Sequence, residues 1–96
     1  MFGLEQKHKE LIKTILKKYL SKDQKVYVFG SRSTGNYKKY SDLDLAIEGN
    51  IDIIKLSNEF KDSSLPIDID IVLIEDLSNE FLKKIKKDFI EFGIFL

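Results

Sequence analysis

Two short segments in which apolar and acidic residues alternate constrain the fold of this chain more than any other feature. In the first, DLDLAIE, Asp42 and Asp44 share one face and three aliphatic side chains share the other. The second, residues 67–74, places Asp68 and Asp70 on one face in the same way. Because side chains of a β-strand point alternately to opposite sides, both segments are predicted to be strands with one buried face. The chain is therefore expected to contain a sheet that carries carboxylates on one side.

The rest of the chain supplies elements that can cover the apolar side of that sheet. Apolar residues at helical spacing predict amphipathic helices, and β-branched or aromatic runs predict strands. The predicted elements are a helix over about 4–20, a strand at 26–29, a short helix after Ser31, strands at 42–48 and 67–74, helices over 51–62 and 77–89, and a last short strand within 90–96. This order predicts an α/β (α+β) fold, a small mixed β-sheet with helices packed on it, in a single domain over residues 1–96.

The apolar tail at 90–96 has two interpretations. It is either an edge strand of the same sheet or an exposed surface that docks a partner. We favour the internal strand, and leave contact of a partner with the first and last helices open.

The composition excludes several classes of protein. Sixteen basic and sixteen acidic residues give a formal net charge of zero, so a general attraction to nucleic acid or to anionic membranes is not expected. The chain has no cysteine, which excludes disulfides and thiolate zinc sites and permits a cytoplasmic location. No apolar run approaches the ~20 residues of a membrane span. We therefore expect a cytoplasmic protein with neither a membrane nor a nucleic-acid partner.

The paired aspartates need an explanation, because aspartate is a poor strand residue. If the two acidic strands are neighbours, Asp68 or Asp70 joins Asp42 and Asp44, and converging carboxylates repel one another unless a cation lies between them. Hard oxygen ligands of this kind suit Mg²⁺ or Mn²⁺ rather than zinc. The alternative is that the aspartates lie on the solvated face of a one-sided sheet. The alternation alone does not choose between the two.

A glycine–serine turn follows the strand at 26–29. Gly30 ends that strand and Ser31 is placed to begin a short helix, where free backbone N–H groups can face a phosphate. Arg32 comes next and is the only arginine among the sixteen basic residues. A planar, bidentate donor suits phosphate recognition. An ordinary strand-to-helix turn has the same local sequence, so the turn alone does not identify a phosphate site.

The turn and the first aspartate pair occur together in one longer pattern. Residues 29–31 (FGS), then Gly35, then residues 41–45 (SDLDL) resemble the signature of the DNA polymerase beta-type nucleotidyltransferase superfamily. The family's third carboxylate is a single aspartate between apolar residues on a later strand, and Asp70 fits that place better than Asp68. The small size and the helix before the motif make the chain similar to the minimal nucleotidyltransferases (MNT). The resemblance implies a fold like the polymerase beta palm.

The resemblance also implies a role for each matching residue. Gly30 and Ser31 would bind the triphosphate of ATP, and we expect Arg32 to be an additional phosphate ligand. Asp42 and Asp44 would hold two Mg²⁺ ions, with Mn²⁺ as an alternative. The third aspartate would hold the second ion and help to deprotonate the acceptor hydroxyl.

The size of the chain bears on the acceptor. Ninety-six residues leave no room for a separate acceptor domain, so a partner is expected to bring the acceptor. The minimal family members resemble antitoxins paired with a helical HEPN-domain toxin, which implies AMP transfer from ATP to a tyrosine of the toxin. The alternatives are a non-catalytic binding antitoxin and a regulatory nucleotide-binding subunit. The complete set of three carboxylates favours the enzyme.

Overall fold

The computed structural model describes residues 2–95 and forms four helices and four strands within them. Apolar periodicity produces the long helices, and the β-branched and alternating segments produce the strands. The elements in chain order are α1 (Gln6–Lys17), β1 (Val26–Phe29), α2 (Ser31–Thr34), β2 (Leu43–Ile47), α3 (Ile53–Lys61), β3 (Ile69–Leu73), a single 3-10 turn (Ile74–Asp76), α4 (Asn79–Lys86) and β4 (Ile90–Glu91).

The four strands form one mixed sheet in the order β3-β2-β1-β4. β1 is antiparallel to both of its neighbours, whereas β2 and β3 are parallel. The parallel pair requires a crossover connection, and α3 supplies it. The sheet therefore has the mixed character that the sequence predicts, with β3 and β4 at its edges.

One face of the sheet carries the hydrophobic core. The inward side chains of β1 and β2 are completely buried, and the inward faces of α1 and α3 pack over them in the same cluster. The central members of this cluster are Ile12, Leu16, Val26, Val28, Leu43, Leu45, Ile47 and Leu56. Because the helices occupy this face, the alternate strand positions point to the other side of the sheet, where the aspartates lie.

The opposite face is partly covered by the end of the α4 segment, which we define as α4 and the three residues after it, up to Phe89. The Phe89 ring stacks on Tyr27, with ring centroids 4.9 Å apart, and lies 6.1 Å from the ring of Phe29. The hydroxyl of Ser33 donates a hydrogen bond to the carbonyl of Asp88. These contacts tie the α4 segment both to β1 and to α2.

The apolar tail belongs to the fold, as the preferred interpretation predicts. Only Ile90 and Glu91 pair as a strand with β1. The Phe92 amide also donates to the Val26 carbonyl of β1, and the side chains of Phe92 and Ile94 are buried in the core. The strand is shorter than the apolar run, and Leu96, at the end of the predicted segment, lies outside the described residues.

The helices are shorter than predicted, and for α3 and α4 a polar side chain fixes where the helix begins. The helix predicted over 51–62 begins at Ile53, after the carboxylate of Asp52 accepts a hydrogen bond from the Lys55 amide. The helix predicted over 77–89 begins at Asn79, after the Ser78 hydroxyl accepts from the Phe81 amide. Such caps satisfy amides that have no partner within the helix.

In the described part of the chain, no helix has both the length and the apolar character needed to cross a membrane.

Candidate active site

Three of the predicted site residues meet on the sheet face opposite the core helices. Asp44 on β2 and Asp70 on β3 are direct neighbours in the parallel register. Asp42 lies two residues before Asp44, so its side chain is on the same face. The Leu43 amide donates to the carbonyl of Asp68, 3.0 Å away, which extends the pairing of the two strands to the start of β2. The sheet register therefore gathers carboxylates from two strands at one end.

The charges at this end of the sheet act on one another. Burial, the negative charges of Asp70 and Asp42, and a hydrogen bond with Asp70 together raise the pKa of Asp44 to about 6, and burial contributes most. Burial also raises the pKa of Asp70, and the charge of Asp42 and a hydrogen bond with it contribute next. Protonation of one carboxylate, a proton shared between two carboxylates, or a bound cation relieves such repulsion.

These interactions distinguish between Asp70, on β3, and Asp68, which directly precedes that strand. Both Asp42 and Asp44 affect the pKa of Asp70 through a hydrogen bond, and Asp42 also through its charge, whereas Asp68 affects it through its charge alone and more weakly than Asp42 does. This supports the sequence-based preference for Asp70 as the third member of the cluster. We define the acidic cluster as Asp42, Asp44 and Asp70.

The glycine–serine turn lies directly against the acidic cluster. Gly30 has φ +73°, in the region that favours glycine, and a Cβ built on it would lie 2.3 Å from a carboxylate oxygen of Asp44. The turn can approach the carboxylate only because no side chain is present at this position. Ser31 then begins α2, where the first amides of a helix have no partner within it. The structure thus brings Gly30, Ser31 and the carboxylates together.

Arg32 has a different role from the one predicted. The residue is only 3% exposed, and its guanidinium donates to the carbonyls of Ser41, Phe2 and Lys39 at 2.9, 2.9 and 3.1 Å. It also lies over the ring of Tyr37. Because the group is buried and its donors are engaged, the prediction of Arg32 as a phosphate ligand is corrected: its side chain binds protein backbone.

The acidic cluster fits a divalent cation by the chemistry of its donors. Carboxylate oxygens are the ligands of Mg²⁺ and Mn²⁺, and the negative charges of neighbouring aspartates add to the effect of burial in raising the pKa of Asp44 and Asp70. Within residues 2–95, no group of three or more acidic or histidine side chains already has the arrangement of a complete metal site. Donor chemistry, rather than a preformed arrangement of ligands, is what makes the acidic cluster suitable for the cation.

Comparison with known proteins decides the family. A family model described as "Nucleotidyltransferase domain" matches residues 8–95, which include the turn and every carboxylate of the acidic cluster. The chain is a nucleotidyltransferase. The predicted enzyme class is thereby confirmed, and together with the similar proteins described next the match also confirms the resemblance to the minimal members.

Two similar proteins refine this assignment. The nucleotidyltransferase is 40% identical over 94 residues to a protein of Haemophilus influenzae named "Probable protein adenylyltransferase MntA", and the match covers 91% of this chain and 82% of that relative. A solved structure entitled "Crystal structure of the toxin-antitoxin with AMP-PNP" matches with a TM-score of 0.70 and 24% identity, over 92% of this chain and 73% of that one. The second similarity shows a shared fold, which confirms the predicted fold class.

Proposed function

We propose that this nucleotidyltransferase is an Mg²⁺-dependent adenylyltransferase that moves AMP from ATP to a hydroxyl group of a partner protein and thereby acts as an antitoxin. The observation that carries the proposal is the contact of the Gly30–Ser31 turn with the acidic cluster. Nucleotidyl transfer needs a triphosphate held beside carboxylates, and the turn that we propose holds the triphosphate lies beside the acidic cluster at one end of the sheet. The name of the similar H. influenzae protein supports adenylyl transfer to a protein.

Each residue has a defined task in this reaction. Gly30 and Ser31 hold the triphosphate through their backbone, and Asp42, Asp44 and Asp70 would hold the metal ions. When bound, these ions supply positive charge for the entering and leaving oxygens of an in-line displacement. The acceptor oxygen bonds to the α-phosphorus, the bond from that phosphorus to the bridging oxygen breaks, and pyrophosphate leaves.

Asp70 is the residue that we propose takes the proton of the acceptor hydroxyl. Burial and the neighbouring charge of Asp42 raise its pKa. A carboxylate with a raised pKa is a better base than a solvated one, because proton affinity and pKa rise together. Asp70 lies on β3, an edge strand, so no further strand of the described sheet lies on the side away from β2, and an acceptor can approach there.

We propose that the acceptor is a tyrosine of a HEPN-domain toxin. Residues 2–95 form one sheet around one core, so an acceptor-binding domain is not part of the described fold. The similar solved structure is described as a toxin–antitoxin, which supports such a pairing. The resemblance to the minimal nucleotidyltransferases implies that the toxin belongs to the HEPN-domain class.

The test is incorporation of label from α-labelled ATP into the co-expressed toxin in the presence of Mg²⁺. Asp70→Asn is expected to reduce labelling by at least about 100-fold, because it removes both a metal ligand and the base. Asp68→Asn is the matched control, since it removes the same charge two residues earlier, just before β3 and outside the acidic cluster. Labelling that survives Asp70→Asn and is lost in Asp68→Asn would reverse the assignment. Full neutralisation of the toxin by Asp42→Asn without any labelling would instead show an antitoxin that acts by binding.

A further inference from the structure

Arg32 is a buried cation that the proposed reaction does not use. The residue is 3% exposed, and burying a charge is costly unless several hydrogen bonds compensate for it. Among residues 2–95, the ion pairs within 4.0 Å all involve lysine or histidine, and none includes Arg32. Backbone carbonyls and the ring of Tyr37 are what stabilise the guanidinium.

The carbonyls that Arg32 binds are placed at defined points around the site. The Ser41 carbonyl, 2.9 Å from Nε, belongs to the peptide bond whose nitrogen is that of Asp42. The Lys39 carbonyl lies two residues earlier in the same loop, and the Phe2 carbonyl lies before α1. The backbone of Arg32 itself follows Ser31 directly. One side chain therefore connects the glycine–serine turn to the peptide that leads into Asp42.

The loop that enters Asp42 has its own internal bonds but few ties to α2. The Ser41 amide donates to the Lys38 carbonyl at 3.1 Å, and the Ser41 hydroxyl accepts from the Lys38 amide at 2.7 Å. In the part of the chain that the structure describes, the hydrogen bonds between α2 and residues 38–41 all come from the Arg32 side chain. Without Arg32 this tight turn would keep its shape but lose its fixed position relative to α2.

We propose that Arg32 is a positioning residue, which sets the separation between the Gly30–Ser31 turn and Asp42 without touching the substrate. The inference rests on the proposed function, in which the turn holds the triphosphate and Asp42 holds a metal ion. Both groups must be correctly placed about one α-phosphate, and an error of 1 Å in such an arrangement costs about 100-fold in rate. The planar guanidinium reaches three carbonyls at fixed angles, whereas an ammonium group presents a single charged point.

Arg32→Lys is the informative variant, because it keeps the positive charge but loses the fork of planar guanidinium N–H donors. We expect kcat for adenylyl transfer to fall by about 10- to 100-fold. The KM for ATP and the Kd for the α,β-methylene analogue of ATP, which cannot be cleaved at the reacting bond, are expected to change by less than about threefold. A phosphate ligand would behave in the opposite way, with weaker binding of the analogue. Lys38→Met is the control in the same loop, and its kcat is expected to stay within about twofold of the native value.

A direct structural readout separates this proposal from the proposed function. The amide resonance of Asp42 and its hydrogen exchange, measured without nucleotide, are expected to change in Arg32→Lys and to stay unchanged in Lys38→Met. Failure of the native protein to label any acceptor would refute the proposed function. The Asp42 amide would still show whether the Arg32 side chain fixes the position of the loop before Asp42. All assays are run at a temperature at which thermal melting shows each variant to be folded.

A second variant covers the case in which Arg32→Lys does not fold. Tyr37→Leu removes the ring beneath the guanidinium, 5.1 Å from its carbon, and leaves the fork in place. We expect a kcat about two- to fivefold lower and an altered Asp42 amide, with binding of the analogue unchanged. A folded Arg32→Lys with native kcat would overturn the proposal. So would weaker binding of the analogue at constant kcat, or, where only Tyr37→Leu folds, native kcat with an unshifted Asp42 amide.

Discussion

Replacing Asp44 with asparagine is expected to make the metal-free protein more stable while it removes the activity. Asp44 is half-buried, and in the folded state burial, with the charges of Asp70 and Asp42, raises its pKa from 3.8 to about 6. The folded state therefore binds the proton more tightly than the unfolded chain does. The stabilisation from this proton is fully present below about pH 4 and is lost as the pH rises through about 6.

The size of the effect follows from the shift. A change of about two pKa units corresponds to about 3 kcal/mol at most. Asp44 keeps some contact with water, which screens its interactions, so about 1–2 kcal/mol is a realistic expectation. Asparagine has nearly the same shape without the charge, so Asp44→Asn should be about 1–2 kcal/mol more stable than the native protein at pH 8. Near pH 4 the two should differ by less than about 0.5 kcal/mol.

The assay is urea unfolding in EDTA at several values between pH 4 and pH 8. The native protein should lose stability across this range more steeply than Asp44→Asn. Asp23→Asn is the control, because Asp23 is exposed and precedes β1, whereas the site follows the end of that strand. Added Mg²⁺ should recover stability at pH 8 in the native protein and not in Asp44→Asn. If Asp44→Asn is less stable than the native protein at pH 8, the argument from crowded carboxylates is wrong.

Two further predictions use matched pairs within the chain. Gly30→Ala should lower transferase activity by at least about 100-fold and destabilise the fold by about 1–3 kcal/mol, because its methyl group would collide with the Asp44 carboxylate. Gly35→Ala is the control: Gly35 also has positive φ, but a Cβ there would meet nothing within 4 Å, so only the smaller backbone cost is expected. Equal activity losses in the two variants would contradict the steric explanation. Leu56→Ala, at a fully buried position of α3, should cost about 2–5 kcal/mol in urea unfolding. Ile54→Ala on the same helix, at a position that is 72% exposed, should change stability by less than about 0.5 kcal/mol.

The face of each strand could be predicted from the sequence, but the pairing of the strands could not. Alternation at Asp42 and Asp44 requires that they share one side of a strand, and the structure agrees. Alternation does not say whether Asp68 or Asp70 lies beside Asp44, because both have the same parity. That depends on the parallel register, which is set by packing between distant segments. The preference for Asp70 came from the family pattern.

The role of Arg32 shows a different limit of prediction. An isolated arginine after a glycine–serine turn suggests a phosphate, because the residue type indicates what it can bind. Its actual acceptors are backbone carbonyls, which every residue has, so no sequence pattern identifies them. They lie 7, 9 and 30 positions away from Arg32. The sequence does mark position 32 as special in one way, because it has an arginine there and lysine at every other basic position.

The in-register pairing of β2 with β3 also affects how reliably the chain finds its native topology. A slip of one residue between these strands would turn one set of alternate side chains to the opposite face. Asp68 and Asp70 would then enter the layer filled by Leu43 and Leu45, which are fully buried. Burial of unpaired charge there is strongly unfavourable. The aspartates thus discriminate against a misfolded arrangement, and substituting Asp70 with an aliphatic residue would weaken this discrimination as well as the chemistry.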